Sequence, residues 1–482
     1  MKKILVNILI AILLASCSTK IDNLTQTDNE IDIYPDYKGV TIPCNIAPIN
    51  FEITDSAKAD ALILSCKNDT LIVSISDKCT QIGIDEWRKF LSDKSGCSIN
   101  FTLCAKKDKN WIAYRPFKVD VSADSIDKVL VYRIIPRGHG IWTQMGIYQR
   151  NLETYTQKAI YENRYGQGNC VNCHSFCANN PDSMMMHVRV KLAGTYTNIN
   201  GKMNKLSGDF SKHISGPFYP YWHPSGKYIA FSLNKIFQDF HTADINMVEV
   251  YDENSDLVVY NIENDKIIDS PLTCAKNAFE TYPTFSPDGK WLYFCSSQAV
   301  DSIRYNFKKA HYNICRISFD AEKGVIGNKI DTVLNMEAIG QSASFPRISP
   351  DGRFLMYVQA DYGNFNLWHR ESDLKMIDLQ TGDSVDINII NSSMADSYHC
   401  WSSNSRWVVF SSRRGDGLFT RPYFTHIDST GTASKPMLLP QEKPLRHYKS
   451  LFSAYNIPEF VKSEVKISTR ETDLKLLQFA KK

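Results

Sequence analysis

The sequence carries little net charge and has no long hydrophobic stretch after its first residues. Its 55 Lys and Arg residues nearly balance 52 Asp and Glu residues, which leaves a formal charge of +3 without a dense basic stripe. Nucleic acid is therefore not an expected partner, because its phosphates are recognised by concentrated positive charge. After residue 17 no segment reaches the roughly 20 consecutive apolar residues that a membrane-spanning helix requires. The chain also lacks Gly-x-Ser-x-Gly, Walker and His-Glu-x-x-His motifs, which counts against hydrolases of those kinds.

The first seventeen residues have the order of parts of a secretory signal peptide. Lys2 and Lys3 precede a short apolar run, and the stretch Leu14-Ala15-Ser16-Cys17 resembles the bacterial lipobox, in which the cysteine is lipid-modified. We therefore predict an extracytoplasmic lipoprotein of the cell envelope, with Cys17 as its lipidation site and residues 18–30 as a polar tether. The anchor would lie in the outer or inner membrane. A periplasm-facing position is preferred to surface exposure, because residues 18–22 are not enriched in the acidic residues of surface-exported lipoproteins.

Twelve cysteines remain after Cys17. In an oxidising compartment such a number is typical of disulfide-bonded proteins, and the pairing cannot be deduced from the sequence.

The region 31–140 predicts a β-sandwich-like domain. Its short alternating apolar runs, such as Ala61–Leu64 and Val129–Ile135, are separated by polar turns, as is typical of antiparallel strands. A helical connector is expected over 141–169, because Ile147, Leu152 and Ile160 recur at near-helical spacing.

The rest of the chain contains an internal repeat. Each unit has an aromatic strand, a turn of the Pro-Asp-Gly kind and a second alternating strand, and four units are readily aligned: Tyr219–Phe231, Tyr282–Phe294, Phe345–Tyr357 and Tyr398–Phe410. In the turn, proline fixes one φ angle and glycine supplies the positive φ that closes the hairpin. These units resemble the PD40 (WD40-like) repeats of TolB-type proteins. The resemblance implies a mainly β fold with a TolB-like β-propeller, expected to have six blades, over residues 170–465 and a C-terminal tail over 466–482.

One motif carries recognisable chemistry, and it comes at the start of the repeat region. Cys170-Val171-Asn172-Cys173-His174 has the spacing with which two thiols attach a haem c and the adjoining histidine ligates its iron. The predicted compartment agrees, because haem c is attached outside the cytoplasm. Two other interpretations stay open: a disulfide or redox pair between Cys170 and Cys173, and a zinc site that adds Cys177.

A haem held by His174 has room for a second axial ligand. His187 is a weak candidate, and the neighbouring methionines are better explained as core residues of a strand. His223 and His399 replace the residues found at the same positions of sister repeats, and a hydrogen-bonded structural role is favoured for both.

The whole arrangement is similar to a family of Bacteroidetes-type lipoproteins with a β-rich N-terminal region, a Cys-Val-Asn-Cys-His-Ser-Phe segment and a TolB-like propeller. The resemblance implies a membrane-anchored mono-haem protein in electron transfer or redox sensing, with a protein partner at a propeller face. The alternative is a non-catalytic propeller that binds a protein or glycan, with structural cysteines. Both roles are favoured over catalysis, although nothing in the sequence excludes an enzyme.

Overall fold

The structure is a computed structural model, and it describes most of the chain. The described residues are 21–136, 144–163, 168–242, 244 and 246–480. The predicted signal peptide and the lipidation site Cys17 lie outside the described residues, so the anchor stays a prediction. No helix within the described ranges is long and apolar enough to cross a membrane.

The N-terminal domain is β-rich, as predicted. Its strands β1 to β10 are Leu24–Gln26, Ile33–Tyr34, Thr41–Pro43, Glu52–Ile53, Ala61–Cys66, Asp69–Ser76, Cys79–Thr80, Ser98–Lys107, Asn110–Ala113 and Phe117–Ser122. All ten belong to one connected sheet in the order β1-β9-β8-β5-β6-β7-β4-β2, with β10 beside β8 and β3 beside β10. Strand β6 pairs with β5 on one side and with β7 on the other, and it therefore connects the two parts of the sheet.

The one α-helix of this domain, α1 (Ile84–Leu91), covers the domain core. Acidic residues in its first turn and basic residues in its last turn complement the helix dipole. Trp87, Phe90 and Leu91 fall on one helical face and are buried. The Trp87 indole N–H donates to the carbonyl of Ile46 at 2.9 Å, which fixes the helix on the sheet.

Six four-stranded sheets follow, and they are the blades of a propeller. Blade 1 contains β11 (Val129–Pro136), β12 (Gly146–Asn151), β13 (Gln157–Glu162) and, from the far end of the chain, β34 (Ser453–Val461). Strands β14 to β33 form blades 2 to 6 in groups of four: Cys170–Phe176, Ser183–Arg189, Gly194–Ile199, Lys202–Lys205; Pro217–Trp222, Tyr228–Phe240, Val248–Asn261, Lys266–Ile268; Ala278–Phe285, Trp291–Gln298, Asn313–Asp320, Val325–Leu334; Ser342–Ile348, Phe354–Ala360, Asp373–Asp378, Ser384–Val385; and Asp396–Trp401, Trp407–Ser412, Arg421–His426, Met437–Leu438. The predicted β-propeller is confirmed.

The expected helical connector over 141–169 is wrong. Residues 146–151 and 157–162 are the strands β12 and β13, so the propeller begins at Val129 and not at Cys170. Ile147, Leu152 and Ile160 are all buried, and their near-helical spacing arises from buried positions spread over two strands and the turn between them.

Strand β34 closes the ring of blades. It pairs antiparallel with β11, from Val129 opposite Val461 to Pro136 opposite Ser453. Residues near the end of the repeat region therefore supply the innermost strand of blade 1.

The repeat turn has the expected chemistry. In blade 4, the N–H of Gly289 donates to the carbonyl of Ser286 at 2.8 Å, and Gly289 has φ +72°. The Ser286 hydroxyl donates to Asp288 at 2.5 Å and accepts from the N–H of Trp291 at 3.0 Å. The fourth unit, Tyr398–Phe410, keeps the same turn with Ser405, at φ +63°, in the place of glycine. The Ser-Pro-Asp-Gly sequence is therefore explained by the hydrogen bonds of one hairpin.

The N-terminal domain packs on the first and last blades, with which it shares one apolar core. The Asp127 carboxylate accepts hydrogen bonds from the N–H and hydroxyl of Ser403 at 2.7 and 2.6 Å. The Tyr37 hydroxyl donates to the carbonyl of Leu438, on the last strand of blade 6, at 3.1 Å. The domain is thus joined to the propeller at the blade where the ring closes.

Three more helices are present among the described residues: α2 (Ile303–Asn306), α3 (Pro444–Ser450) and α4 (Thr469–Ala480). The last lies in the segment predicted as a tail. It packs on β13, and its Leu476 is fully buried.

Candidate functional site

Every blade has the same irregularity in its innermost strand. The register of β14, β18, β22, β26, β30 and β34 shifts at a β-bulge near the middle of each strand. Four aromatic residues at this bulge have positive φ angles between 42° and 51°: Tyr219, Tyr282, Phe345 and Tyr398. Bulges re-aim side chains, and here they turn side chains away from the blade faces and toward the central channel.

The four aromatic residues form a continuous surface, which we call the aromatic arc. Ring centroids are 4.3 Å apart for Tyr219 and Tyr282, 4.1 Å for Tyr282 and Phe345, and 4.5 Å for Phe345 and Tyr398. Each ring comes from a different blade, so the arc ties four consecutive blades together across the channel.

Each of the six inner strands carries a second notable residue, two positions after the residue at its bulge. We call these six residues the channel ring. Its members, one from each blade, are His174, Tyr221, Thr284, Arg347, Cys400 and Glu459. All but Thr284 line a cavity of about 290 Å³ at the end of the channel. The aromatic arc also lines this cavity, and so do the turns that follow the inner strands. The repeat therefore builds one pocket from all six inner strands.

His174 of the Cys-x-x-Cys-His motif lines this cavity. Its side chain is fully buried, and neither ring nitrogen makes a hydrogen bond among the described residues. The backbone of Ile457 is near, and the Glu459 carboxyl oxygen Oε2 lies 4.0 Å from Nε2. Burial lowers the pKa of His174 to about 3, with a further contribution from Arg133, so the imidazole is neutral. A neutral ring without partners has a lone pair and an N–H available to a ligand.

The residues fit a haem c only in part. Cys173 and His174 both line the cavity, as an attached haem needs. Cys170 does not line it: this thiol is at the start of β14, opposite Arg189, and burial raises its pKa. Attachment through two thioethers requires both thiols at the edge of one macrocycle. Of the two cysteines, Cys173 alone lines the cavity.

The zinc and disulfide interpretations of the motif find no support. No group of three or more His, Cys, Asp or Glu side chains within the described ranges could hold a metal ion. The twelve cysteines from Cys44 to Cys400 are free thiols.

His187 is not brought into the cavity. In β15 its neighbour Met186 pairs with His174, so His187 points to the other face of the blade. There its Nδ1 is 2.9 Å from the Thr195 hydroxyl, and burial lowers the pKa of His187 to about 4. The structure therefore does not place His187 where it could be the sixth ligand of an iron held by His174.

The methionines of β15 and the two histidines that depart from the repeat have structural contacts. Met184, Met185 and Met186 belong to apolar cores between blades. His223 Nε2 is 3.0 Å from the carbonyl of Gly289, in the next repeat turn, and His399 Nε2 is 3.0 Å from the carbonyl of Met356. His399 also lines the cavity wall.

Three charged residues of the site were missed in the sequence. Arg133, on β11, donates from Nη1 to the Asn172 carbonyl at 2.8 Å and to its side-chain oxygen at 2.5 Å, which fixes the Cys-x-x-Cys segment. Arg347 and Glu459 belong to the channel ring. Glu459 accepts from the N–H of Phe176 at 2.8 Å, and burial raises the pKa of Glu459 to about 8. A signal was present for Glu459: Ile457-Pro458-Glu459-Phe460 repeats the pattern of Tyr219–Trp222.

Comparisons with known proteins add likenesses of overall shape only. No family model and no curated protein matches the chain. Among solved structures, the tricorn protease is 13% identical over 84% of this chain, with a TM-score of 0.35. A DUF4784 family protein from Bacteroides caccae is 7% identical over 74% of this chain and 95% of its own, with a TM-score of 0.30. Porphyromonas gingivalis dipeptidyl peptidase 4 is 9% identical over 86% of this chain and 61% of its own, with a TM-score of 0.28. The chain matches 36% of the tricorn protease, and its assignment as a propeller follows from its own six sheets.

Proposed function

We propose that this protein is a membrane-anchored lipoprotein of the cell envelope whose propeller binds a small molecule in the channel cavity. The observation that carries the proposal is the cavity itself, which receives a side chain from the inner strand of every blade. Concave sites with an apolar surface and a few converging polar groups are the usual place of ligand binding. The aromatic arc supplies the apolar surface, and the channel ring supplies the polar groups.

The unpartnered His174 supports this proposal. A buried imidazole without hydrogen bonds costs stability, of the order of 1–3 kcal/mol for an unsatisfied polar group. Such a cost is commonly explained by a ligand, and His174 lines the cavity. A protein partner at a propeller face stays a prediction that this site does not address.

The test is to close the mouth of the cavity. Pro287 stands at the rim, in the turn after β22, where another side chain can be placed without changing the inner strand. Wild-type protein and the Pro287→Ala control, purified from the envelope, are expected to release a bound small molecule in native mass spectrometry. Pro287→Trp is expected to carry none and to have the melting temperature of the Pro287→Ala control, which lacks the same proline. Retention of the same bound mass by Pro287→Trp, or its absence from wild type, would refute the proposal.

A haem c is the second candidate, and it is favoured by Cys173 and His174 on the cavity wall. When bound, it would supply one-electron chemistry, and Cys173 and His174 are the residues that would hold it. The protein would be produced together with a haem c maturation system, with Cys173→Ser and Cys170→Ser as paired variants. Haem that stays bound after denaturation, and is lost in Cys173→Ser, would support this candidate. A colourless protein would eliminate it.

A further inference from the structure

Arg347 is a cation in the cavity wall without an anionic partner. Its Nη1 donates to the Thr284 hydroxyl at 2.7 Å and to the Pro346 carbonyl at 2.8 Å, and its guanidinium carbon lies 4.9 Å from the centre of the Tyr221 ring. No carboxylate among the described residues forms an ion pair with it. The Glu459 carboxyl of the same wall interacts with the charge of Arg347, but burial raises the pKa of Glu459 to about 8 and keeps it protonated at neutral pH. Arginine side chains in partly buried positions are ordinarily paired, because an unpaired charge is costly to remove from water.

The guanidinium is held in one orientation. Thr284 is fully buried and donates its own hydroxyl to the Pro346 carbonyl at 2.6 Å, so the same carbonyl fixes both side chains. The Nη1 atom is thereby used, while Nη2 and Nε make no hydrogen bond within the described ranges. Those two donors form one edge of the planar group, and that edge matches the two oxygens of a carboxylate.

The surroundings of this donor pair favour a flat ligand. Phe345 of the aromatic arc precedes Arg347 by two residues on the same strand, and both residues line the cavity. His174, which can donate one N–H, belongs to the same wall, and Lys462 adds a second positive charge to the lining. Ring-bearing ligands gain from stacking on such a surface, and anions gain from the two cations.

We propose that the channel cavity binds a flat organic carboxylate, with its carboxylate paired to Arg347 and its ring against the aromatic arc. This inference rests on the proposed function and names the ligand class for the same site. The carboxylate could belong to a free aromatic acid or to a propionate of a porphyrin, and both have the same chemistry of recognition.

The test compares charged and neutral forms of the same ring. Benzoate and benzamide are titrated into the mature protein by calorimetry, and haemin and haemin dimethyl ester are titrated by absorbance. Hydrogen bonds to charged groups are stronger than those between neutral groups, so wild type should bind the carboxylate of at least one pair about tenfold more tightly or better. Preference within the benzoate pair alone identifies a free acid, and preference within the haemin pair identifies a porphyrin.

Arg347→Gln should reduce that preference to less than about threefold. Arg316→Gln is the matched control, because Arg316 also lies over an aromatic ring, that of Trp291 at 4.3 Å, but on the outer part of blade 4. If Arg347→Gln has a lowered melting temperature, Thr284→Val replaces it: the charge stays, its orientation is lost, and the preference should still fall.

Equal binding of the charged and neutral forms by wild type, or a preference that survives in Arg347→Gln and Thr284→Val, would overturn the inference. So would the absence of binding by all four probes. None of these results bears on the mouth-closing variant Pro287→Trp, so failure of this inference and failure of the proposed function are distinguishable.

Discussion

Glu280 should make the stability of the propeller depend on pH. This residue lies on the inner strand of blade 4 and is 1% exposed, and its Oε2 atom has no hydrogen-bond partner among the described residues. Burial raises the pKa of Glu280 from 4.5 to about 8, and Asp256 raises it further, while a backbone hydrogen bond from Ala275 opposes the shift. At neutral pH the side chain is therefore a neutral carboxylic acid in the native state and an ionised one after unfolding.

The sign and size of the effect follow from this difference. Below pH 4.5 both states are protonated, and Glu280 adds no pH dependence. As the pH rises from 4.5 to 8 the unfolded state loses its proton first, so the free energy of unfolding falls. One pKa unit corresponds to 1.36 kcal/mol, which sets an upper limit of about 5 kcal/mol for the complete loss.

The measurement is denaturant unfolding of wild type and Glu280→Gln at pH 5, 6, 7 and 8. The amide has the same shape and does not titrate, so the free energy of unfolding of the variant should rise relative to wild type with each pH step. Glu322→Gln, at an exposed loop position, controls for the loss of one acidic residue. Parallel pH curves for wild type and Glu280→Gln would refute the reasoning.

Two other predictions concern the repeat turns and the buried histidines. Gly289→Ala should cost about 2–5 kcal/mol, because a Cβ at φ +72° would lie 2.3 Å from His223 Nε2, whereas Gly352→Ala, at φ +79° with nothing within 4 Å, should cost about 1–2 kcal/mol. Thermal melting compares the two, and equal costs would show that the contact with His223 does not matter. Burial lowers the pKa of His399 to about 3 and that of His447 to about 4, so the unfolded state gains protons first and stability should fall as the pH drops below 6.5. His447→Gln, followed by unfolding between pH 7 and pH 4, should be less sensitive to acid than wild type, and an unchanged sensitivity would contradict the assignment.

The propeller could be predicted from the sequence because its repeat is a local pattern. The Ser286-Pro287-Asp288-Gly289 turn and its relatives fix hairpins through contacts between residues close in sequence. The closure of the ring could not be predicted in the same way. It depends on β34 meeting β11, and a pairing between segments so far apart leaves no periodic signal at either one.

The site could be predicted only in part, because most of its residues come together from segments far apart in the sequence. His174 was singled out by a motif, and the structure places it in the cavity. Arg347 and Glu459 were not singled out, because neither belongs to a sequence motif. Their place in the site depends on the convergence of inner strands that are far apart in the sequence. Cys170 was expected beside Cys173, as residues three apart are on a helix. Both belong to the strand β14, where residues three apart are separated by an extended backbone and their side chains point to opposite faces.

The pairing of β34 with β11 also has a consequence for the order of events during synthesis. About 290 residues separate the end of β13 from the start of β34, so blade 1 stays one strand short until almost the whole chain has been made. Until then β11 has an open edge, and the core that the N-terminal domain shares with blades 1 and 6 is incomplete. The N-terminal domain and blade 1 can therefore complete their packing only after β34 has been synthesised. A prematurely terminated chain would expose both that edge and that core to proteases.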